Sequence, residues 1–471
     1  MHARKPRLIV FAHLCNPEFV TGAEKLTAFM LRELAAWYEC VLAVPGDGRI
    51  AADARAAGFR TAVLPLTLAP SFYLGLTHWR TELQEGMAGE PFRQLVRWLA
   101  SEEPAAVLVA TCVHPLPAVA ARALGIPVVW TVMETMRETA HAPEIAGFIG
   151  AHADRIIGIS ESVLAPFRQP DMRAKSALLP PSWDEREMRP EEWPLQRDSM
   201  RRMLGVDGGQ PLVGFIASTI YANKGFHHFM EATMAAAGLH PEARFLIVGN
   251  PVDEPYFEAG IGMAREAGLL DRYRWIRYES RIERIYPALD ALVVPSLAAE
   301  GFGLTALEGM IFGKPVISYA SGGLAEIHAA TGSAEWAVPA GNAAALADAL
   351  IRLLDQPGRF AEIGARNREA ATAAYGIDAY RARLQAFLAS FRPESMPRAR
   401  LMRGSGPAVY LRQGIALRPF ASRAALIASG HRLEDVRQVP DEVIAALPVG
   451  PSIGGGTTGG GKRRRRRVRR L

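Results

Sequence analysis

The 471-residue sequence predicts an α/β protein of two successive parallel-sheet units, on three observations. Short aliphatic runs alternate with stretches of helical periodicity twice over, the pattern of parallel strands wrapped by helices. The length exceeds one core and suits two domains of roughly 180 residues each. A segment rich in Pro, Trp and charge, from Leu179 to Gln210, separates the two alternations, as expected where one domain hands over to another.

The first unit begins with Leu8-Ile9-Val10-Phe11-Ala12. Three basic residues precede this run, but it is too short and lacks the small-residue cleavage site of a secretory leader, so it reads as a buried strand. A helix follows from about Thr21 to Tyr38: Leu26, Phe29, Met30, Leu34 and Trp37 share one stripe, and Thr21 with Glu24 matches a capping box. Val41–Val44, Val107–Val109, Val128–Val132 and Ile156–Ile159 are the next strand candidates. Between Pro65 and Pro104 the rhythm breaks around Phe72, Tyr73, Trp79 and Trp98, an irregular excursion ending in a helix.

In the second unit, strands are expected at Leu212–Ile216, Phe245–Val248, Leu292–Val294 and Pro315–Ser318. Helices are expected at about His227–Ala237, Tyr256–Ala267, Leu304–Phe312, Ala343–Leu354 and Ile377–Phe391. Both units are thus Rossmann-like, residues 1–190 forming the first domain and 191–375 the second. Residues 393–471 turn to Arg, Pro and Gly and read as a largely disordered tail with at most short helices, because such composition cannot bury a core.

Composition removes several classes. Hydrophobic residues are 49% and charged residues 22%, ordinary for a soluble globular chain, and no apolar run reaches the roughly 18–20 residues that span a bilayer. Cys15, Cys40 and Cys112 are too few and too scattered for a disulfide framework or a Cys-ligated zinc site, which favours a reducing, cytoplasmic setting. Lys462, Arg463–Arg467, Arg469 and Arg470 outweigh the whole net charge of +6 and leave −2 on residues 1–461. Charge therefore says nothing of what the folded body binds. The basic run has no interleaved aromatic residues for base stacking and would give nucleic acid only salt-sensitive attraction. Peripheral contact with anionic lipid at an inner membrane face, at about 1 kcal/mol per basic residue, is the other reading beside a simply solvated tail.

The densest chemical signal runs from Glu300-Gly301-Phe302-Gly303-Leu304 through Glu308 to Gly313-Lys314-Pro315-Val316-Ile317. It follows the apolar strand at Leu292–Val294, so the glycines fall in a turn between a strand's carboxyl end and a helix N-terminus, where open α/β sheets bind ligands. Glycine lets a ligand approach the backbone, and the free amides and helix dipole favour a phosphate. Glu300 ahead of the helix and Glu308 one turn into it suit carboxylates that accept from hydroxyls at the two ends of one ligand, with a pyrophosphate between them. Two glutamates also suggest a glycosidase pair. That chemistry needs carboxyl groups about 5–9.5 Å apart across a single bond, which this spacing does not impose, and solvated helix-end charges are the plainer alternative.

Glu300-x7-Glu308, with Gly-Phe-Gly inside it and Gly-Lys-Pro-Val-Ile after it, resembles the signature of retaining glycosyltransferase family 4. The resemblance covers about Leu8 to Phe391. Tyr286 through Asp290, Pro295-Ser296, Gly322-Gly323-Leu324-Ala325-Glu326, Val338-Pro339-Ala340-Gly341-Asn342 and Leu346-Ala347 with Ala349-Leu350 extend it in order. It implies a GT-B fold: two Rossmann-like domains facing a cleft, with residues 376–392 as a helix crossing back to the first domain. It also implies transfer of a sugar, with retention, from a nucleotide-diphosphate sugar to a saccharide, lipid-linked or other hydroxyl acceptor in polysaccharide or glycoconjugate biosynthesis. No Asp-x-Asp motif stands where it would suit a divalent cation, so neither a metal nor a cofactor besides the donor is expected. In that frame Glu300 contacts the donor sugar and Glu308 the ribose. Gly301, Phe302, Gly303 and Leu304 give backbone contacts, and Lys224, in Asn223-Lys224-Gly225, neutralises the departing diphosphate.

Gly249, in the Asn250-terminated strand, would lie beside the base. Thr219 stands where the family often has arginine, which leaves a second phosphate cation to another residue such as Arg281. In the first domain, Gly22-Ala23-Glu24 is similar to a Gly-Gly-x-Glu loop, so Gly22 is expected near phosphate or acceptor while Glu24 serves its capping box. Glu134 is similar to a cleft-facing glutamate, although Thr131 and Met133 stand where histidine is common. His13 and His114, near strand ends, are the other acceptor-side candidates. Ser160-Glu161-Ser162 reads as a helix cap. A nucleotide-sugar epimerase and a non-catalytic binding protein remain the alternatives on the same donor lobe.

Overall fold

The computed structural model describes residues 5–18, 20–279, 281–396 and 400–454. Strands β1 (Arg7–Phe11), β2 (Glu39–Val44), β3 (Arg60–Val63), β4 (Ala106–Ala110), β5 (Val128–Val132), β6 (Arg155–Gly158) and β7 (Ser176–Leu178) form the first sheet. All its pairings are parallel, in the order β3-β2-β1-β4-β5-β6-β7. Residues 106–110 and 128–132 are buried throughout, the mark of strands covered by helices on both faces. A second parallel sheet, ordered β10-β9-β8-β11-β12-β13, comprises β8 (Leu212–Ile220), β9 (Arg244–Pro251), β10 (Tyr273–Ile276), β11 (Ala291–Val294), β12 (Val316–Tyr319) and β13 (Ala337–Val338). This is the two-lobed α/β architecture that the alternation of runs predicts.

Each sheet reverses its strand order once, between β1 and β4 and between β8 and β11. Loops leaving the carboxyl ends of those strands diverge and open a crevice. The segments after β1, β4, β8 and β11 are the ones carrying Gly22, His114, Lys224 and Glu300.

Local chemistry explains the elements that border the crevice. The Gly22–Leu34 helix starts with both halves of its capping box made, Thr21 accepting from the Glu24 amide and Glu24 from the Thr21 amide. It buries Leu26, Phe29, Met30, Leu31 and Leu34. The Leu304–Ile311 helix starts at Gly303, whose φ of 103° lies in the region glycine favours, and a Cβ there would come within 2.5 Å of the Leu324 side chain. The Pro-rich handover contains a helix, Trp193–Leu204, whose Arg197 and Arg201 both bond to Asp290.

The Ile377–Ser390 helix returns to the first lobe. Tyr380 is buried edge-on to Phe29 with ring centroids 5.0 Å apart, and Arg381 pairs with Glu33 through bonds of 2.8 and 3.0 Å.

One expectation is corrected. Much of 393–471, expected to be largely disordered, folds. Strands β14 (Leu401–Arg403), β15 (Tyr410–Gln413), β16 (Ala416–Pro419) and β17 (Arg437–Gln438) form a sheet in the order β16-β15-β14-β17, with helices at Arg423–Ala428 and Asp441–Ala446. The apolar residues of this stretch are not scarce; they are scattered among Arg, Pro and Gly without a sustained period, and they find their partners on the first lobe. Met402, Leu417, Val443 and Leu447 belong to the same core as the first lobe, and the Arg412 guanidinium reaches the Leu124 carbonyl at 3.2 Å. Residues 455–471, with the basic run and any lipid contact assigned to it, lie outside the described residues.

Candidate active site

A cleft of about 640 Å³ lies between the lobes, within the ~300–1,000 Å³ usual for small-molecule sites. Of the residues that the sequence singled out, Gly22, Lys224, Gly249, Glu300, Gly301, Phe302, Gly303, Leu304 and Glu308 all line it.

Glu300 is fixed from two sides. Lys224 Nζ lies 2.7 Å from its Oε1, and the Ser296 hydroxyl donates to the same oxygen at 2.6 Å. Burial alone would push this carboxyl up, but the Lys224 charge and the two hydrogen bonds overcome it and hold the group below the usual carboxylate value. Lys224 is positioned by the turn after β8, where the Asn223 carbonyl accepts from the Leu297 amide at 2.8 Å, tying that turn to the loop leading into Glu300.

Glu308 is fixed differently. Tyr286, fully buried, donates its hydroxyl to Oε2 at 2.7 Å, while Lys25 of the first lobe stands 3.6 Å from Oε1. Tyr286 is itself anchored. Lys314 donates to the carbonyls of Pro287 and Leu289, and Arg197 and Arg201 bond to the same 287–290 stretch. Between the two carboxylates the Leu304 helix opens with no side-chain cap. Its first amides have no partner within the helix, so they and the dipole present positive potential to the cleft.

The lobes meet at this turn. Ser160, which caps the Glu161–Leu164 helix as the sequence predicts, also donates its hydroxyl to the Gly301 carbonyl at 2.6 Å. Thr135 donates to the Glu300 carbonyl at 3.3 Å. The Glu326 carboxylate crosses to accept from the Glu161 and Ser162 amides, each at 2.8 Å. Gly301 packs so closely on the Met133 carbonyl that a Cβ would fall 2.1 Å from its oxygen.

Several expected residues are elsewhere. Thr219 does not line the cleft; Ser218, one position earlier, does. Arg281 is not on it either, and the basic residue that does line it from that loop is Arg277, held by Asn250 at 2.7 Å and Glu254 at 2.9 Å. Neither His13, His114 nor Glu134 is among the cleft residues; Met133 is. His13 and His114 are buried behind the surface, and Glu134 is half-buried with its carboxylate turned back onto the turns after β4 and β5. Glu134 accepts from the Cys112 and Met133 amides at 3.1 and 3.3 Å, and burial raises its carboxyl above the usual range despite those bonds. Burial lowers His13 to about 4 and His114 to about 3, the latter also by its neighbour His13. His13 Nδ1 and both ring nitrogens of His114 have no hydrogen-bond partner among the described residues.

The sequence reading missed Lys25, which a basic residue directly after the capping glutamate could have signalled, and the cross-lobe role of Glu326. It named Tyr286 and Ser296 without roles. Among the described residues no group of three or more His, Cys, Asp or Glu side chains could hold a metal ion, and no helix is long and apolar enough to cross a membrane.

Comparison with known proteins agrees with this geometry. Residues 196–371 match the family described as glycosyl transferases group 1, and residues 21–182 match the glycosyl transferase 4-like domain. The chain is 31% identical over 172 residues to the 2-deoxystreptamine glucosyltransferase of Streptomyces kanamyceticus, covering 36% of this chain and 43% of that protein. It is 29% identical over 227 residues to the D-inositol 3-phosphate glycosyltransferase of Mycolicibacterium smegmatis, covering 47% and 50%. The matches thus span half or less of these curated relatives' length. The crystal structure of Anabaena Alr3699/HepE in complex with UDP and glucose superposes with a TM-score of 0.67 at 17% identity, covering 82% of this chain and 100% of that one. At that identity the likeness bears on the fold, which is GT-B. Residues 196–371 thus resemble the group 1 glycosyl transferases and residues 21–182 the glycosyl transferase 4-like domain.

Proposed function

We propose that this protein transfers a sugar, with retention of configuration and without a metal ion, from a nucleotide-diphosphate sugar to a hydroxyl acceptor in glycoconjugate or polysaccharide biosynthesis. The observation that carries this reading is the placement of Glu300 and Glu308 on one cleft, with the uncapped start of the Leu304 helix between them and Lys224 beside Glu300. A diphosphate against those amides sets the sugar toward Glu300 and the ribose toward Glu308. Hydroxyl groups donate to both carboxylates, and Tyr286 keeps Glu308 aimed.

Lys224 takes the charge that grows on the leaving diphosphate, the task a divalent cation performs in other sites. No side chain on the cleft is needed as a nucleophile when the acceptor enters on the face that the diphosphate leaves, with a phosphate oxygen accepting the acceptor's proton. The family matches and the acceptors of the relatives, an aminocyclitol and an inositol phosphate by their names, support a polyhydroxylated acceptor.

The test is incubation with UDP-, ADP- and GDP-sugars and polyol or saccharide acceptors, with and without EDTA. The expected outcome is acceptor-dependent release of nucleoside diphosphate, an α-linked product from an α-linked donor, and no loss with EDTA. Binding without turnover would support a non-catalytic module instead, and interconversion of the donor sugar would support an epimerase.

A further inference from the structure

We propose that Lys25 of the first lobe is a second diphosphate-binding cation, so that the donor pyrophosphate is clamped between lysines from opposite lobes; this rests on the nucleotide-sugar reading above. Among the described residues five basic side chains line the cleft: Lys25, Arg32, Arg49, Lys224 and Arg277. Three are neutralised away from the two signature glutamates. Arg32 stands 3.3 Å from Glu187, Arg49 3.3 Å from Asp53, and Arg277 2.9 Å from Glu254. The other two each face one of those glutamates, Lys224 at 2.7 Å from Glu300 and Lys25 at 3.6 Å from Glu308.

The Lys25 pairing is the looser. Its separation exceeds a hydrogen bond, and the lysine side chain is 47% exposed, free to turn toward a ligand. Lys25 also sits in the first turn of its helix, where the dipole disfavours a cation, so helix stability does not account for it. That helix begins at Gly22, where a Cβ would lie 3.2 Å from the side chain of Leu304, the first residue of the helix opposite. Two helix N-termini and two lysines thus converge on one gap. A pyrophosphate entering it is a stronger partner for both lysines than single carboxylates are, and it releases Glu300 and Glu308 to accept from hydroxyls. Because Lys25 is on the first lobe, diphosphate binding then requires both lobes.

Isothermal titration of UDP, ADP and GDP, and of the matching nucleosides, against the full chain and its Lys25→Met and Lys25→Arg variants tests this. For whichever diphosphate binds the unmodified protein, Lys25→Met should weaken it about ten- to hundred-fold. Nucleoside affinity should stay within about two-fold, and Lys25→Arg should restore most of the loss. Far-UV circular dichroism and the melting temperature report whether Lys25→Met is folded. Unchanged diphosphate affinity in the folded Lys25→Met protein would overturn the assignment of Lys25 while leaving the donor site standing. Absence of diphosphate binding by the unmodified protein would overturn the donor reading, and this one with it.

Discussion

The hydroxyl of Ser160, on the first lobe, lies 2.6 Å from the carbonyl oxygen of Gly301, on the second. The turn that opens the Leu304 helix is therefore shaped by both lobes, and its amides face the cleft in a geometry neither lobe sets alone.

That contact makes Gly301→Ala a test of lobe closure. The added methyl would meet the Met133 carbonyl oxygen at 2.1 Å. Backbone cannot give way there at small cost, so the lobes must part at an expense of about 1–3 kcal/mol. Sugar transfer is expected to fall at least ten-fold while far-UV circular dichroism stays native. Full activity would mean that the observed approach is not the working state.

Glu326 is a second clasp, accepting from two amides and the hydroxyl across the boundary at Glu161 and Ser162. Glu326→Ala leaves those donors to water and removes about 1–3 kcal/mol of closure. Small-angle scattering should show a larger radius of gyration, with a higher KM for the donor. An unchanged radius would assign Glu326 to local capping only.

Replacing Lys224 by Met removes the cation beside Glu300 and leaves that carboxylate with Ser296 alone. If Lys224 meets the leaving diphosphate, kcat should drop about 10²–10³-fold. A change confined to stability, with kcat kept, would make Lys224 merely the partner of Glu300.

His13 and His114 give a pH signature. Burial lowers their folded values to about 4 and about 3, from 6.5. Both are neutral in the folded chain near neutrality, while the unfolded chain binds protons below 6.5. Stability is thus fully present above pH 6.5 and is lost as pH falls toward the folded values, by roughly 2 kcal/mol per histidine between pH 6.5 and 5. Urea melts at several pH values should show this slope, and His114→Leu should flatten it by about half. An equal slope in that variant would place the acid sensitivity elsewhere.

Much of this protein is legible along the chain, for a physical reason. Strand and helix periods, capping boxes and Gly-bearing turns depend on residues a few positions apart, so the two sheets, the Thr21 cap, the Ser160 cap and the Glu300–Glu308 bracket all follow from local pattern. Short edge strands such as Arg60–Val63 and Ala337–Val338 carry too few residues to show a period, and beyond 395 the apolar residues are interrupted by Arg, Pro and Gly too often to show one.

What local pattern cannot supply is the other side of each contact. Whether a polar residue near a strand end turns into the cleft or behind it depends on the packing of distant loops. Gly22 and Met133 line the cleft, whereas His13, His114 and Glu134 do not. Residues 401–447 fold because they complete the first lobe's surface, an area contributed by residues some 300 positions earlier. The sequence by itself determined two Rossmann-like lobes and the pair of glutamates on the second. Only the tertiary structure decided that Lys25 faces Glu308, that Glu326 grips the opposite lobe and that Ser160 holds Gly301. Those pairings join groups 141 to 283 residues apart, and only the closing of the two sheets on one another brings them within reach.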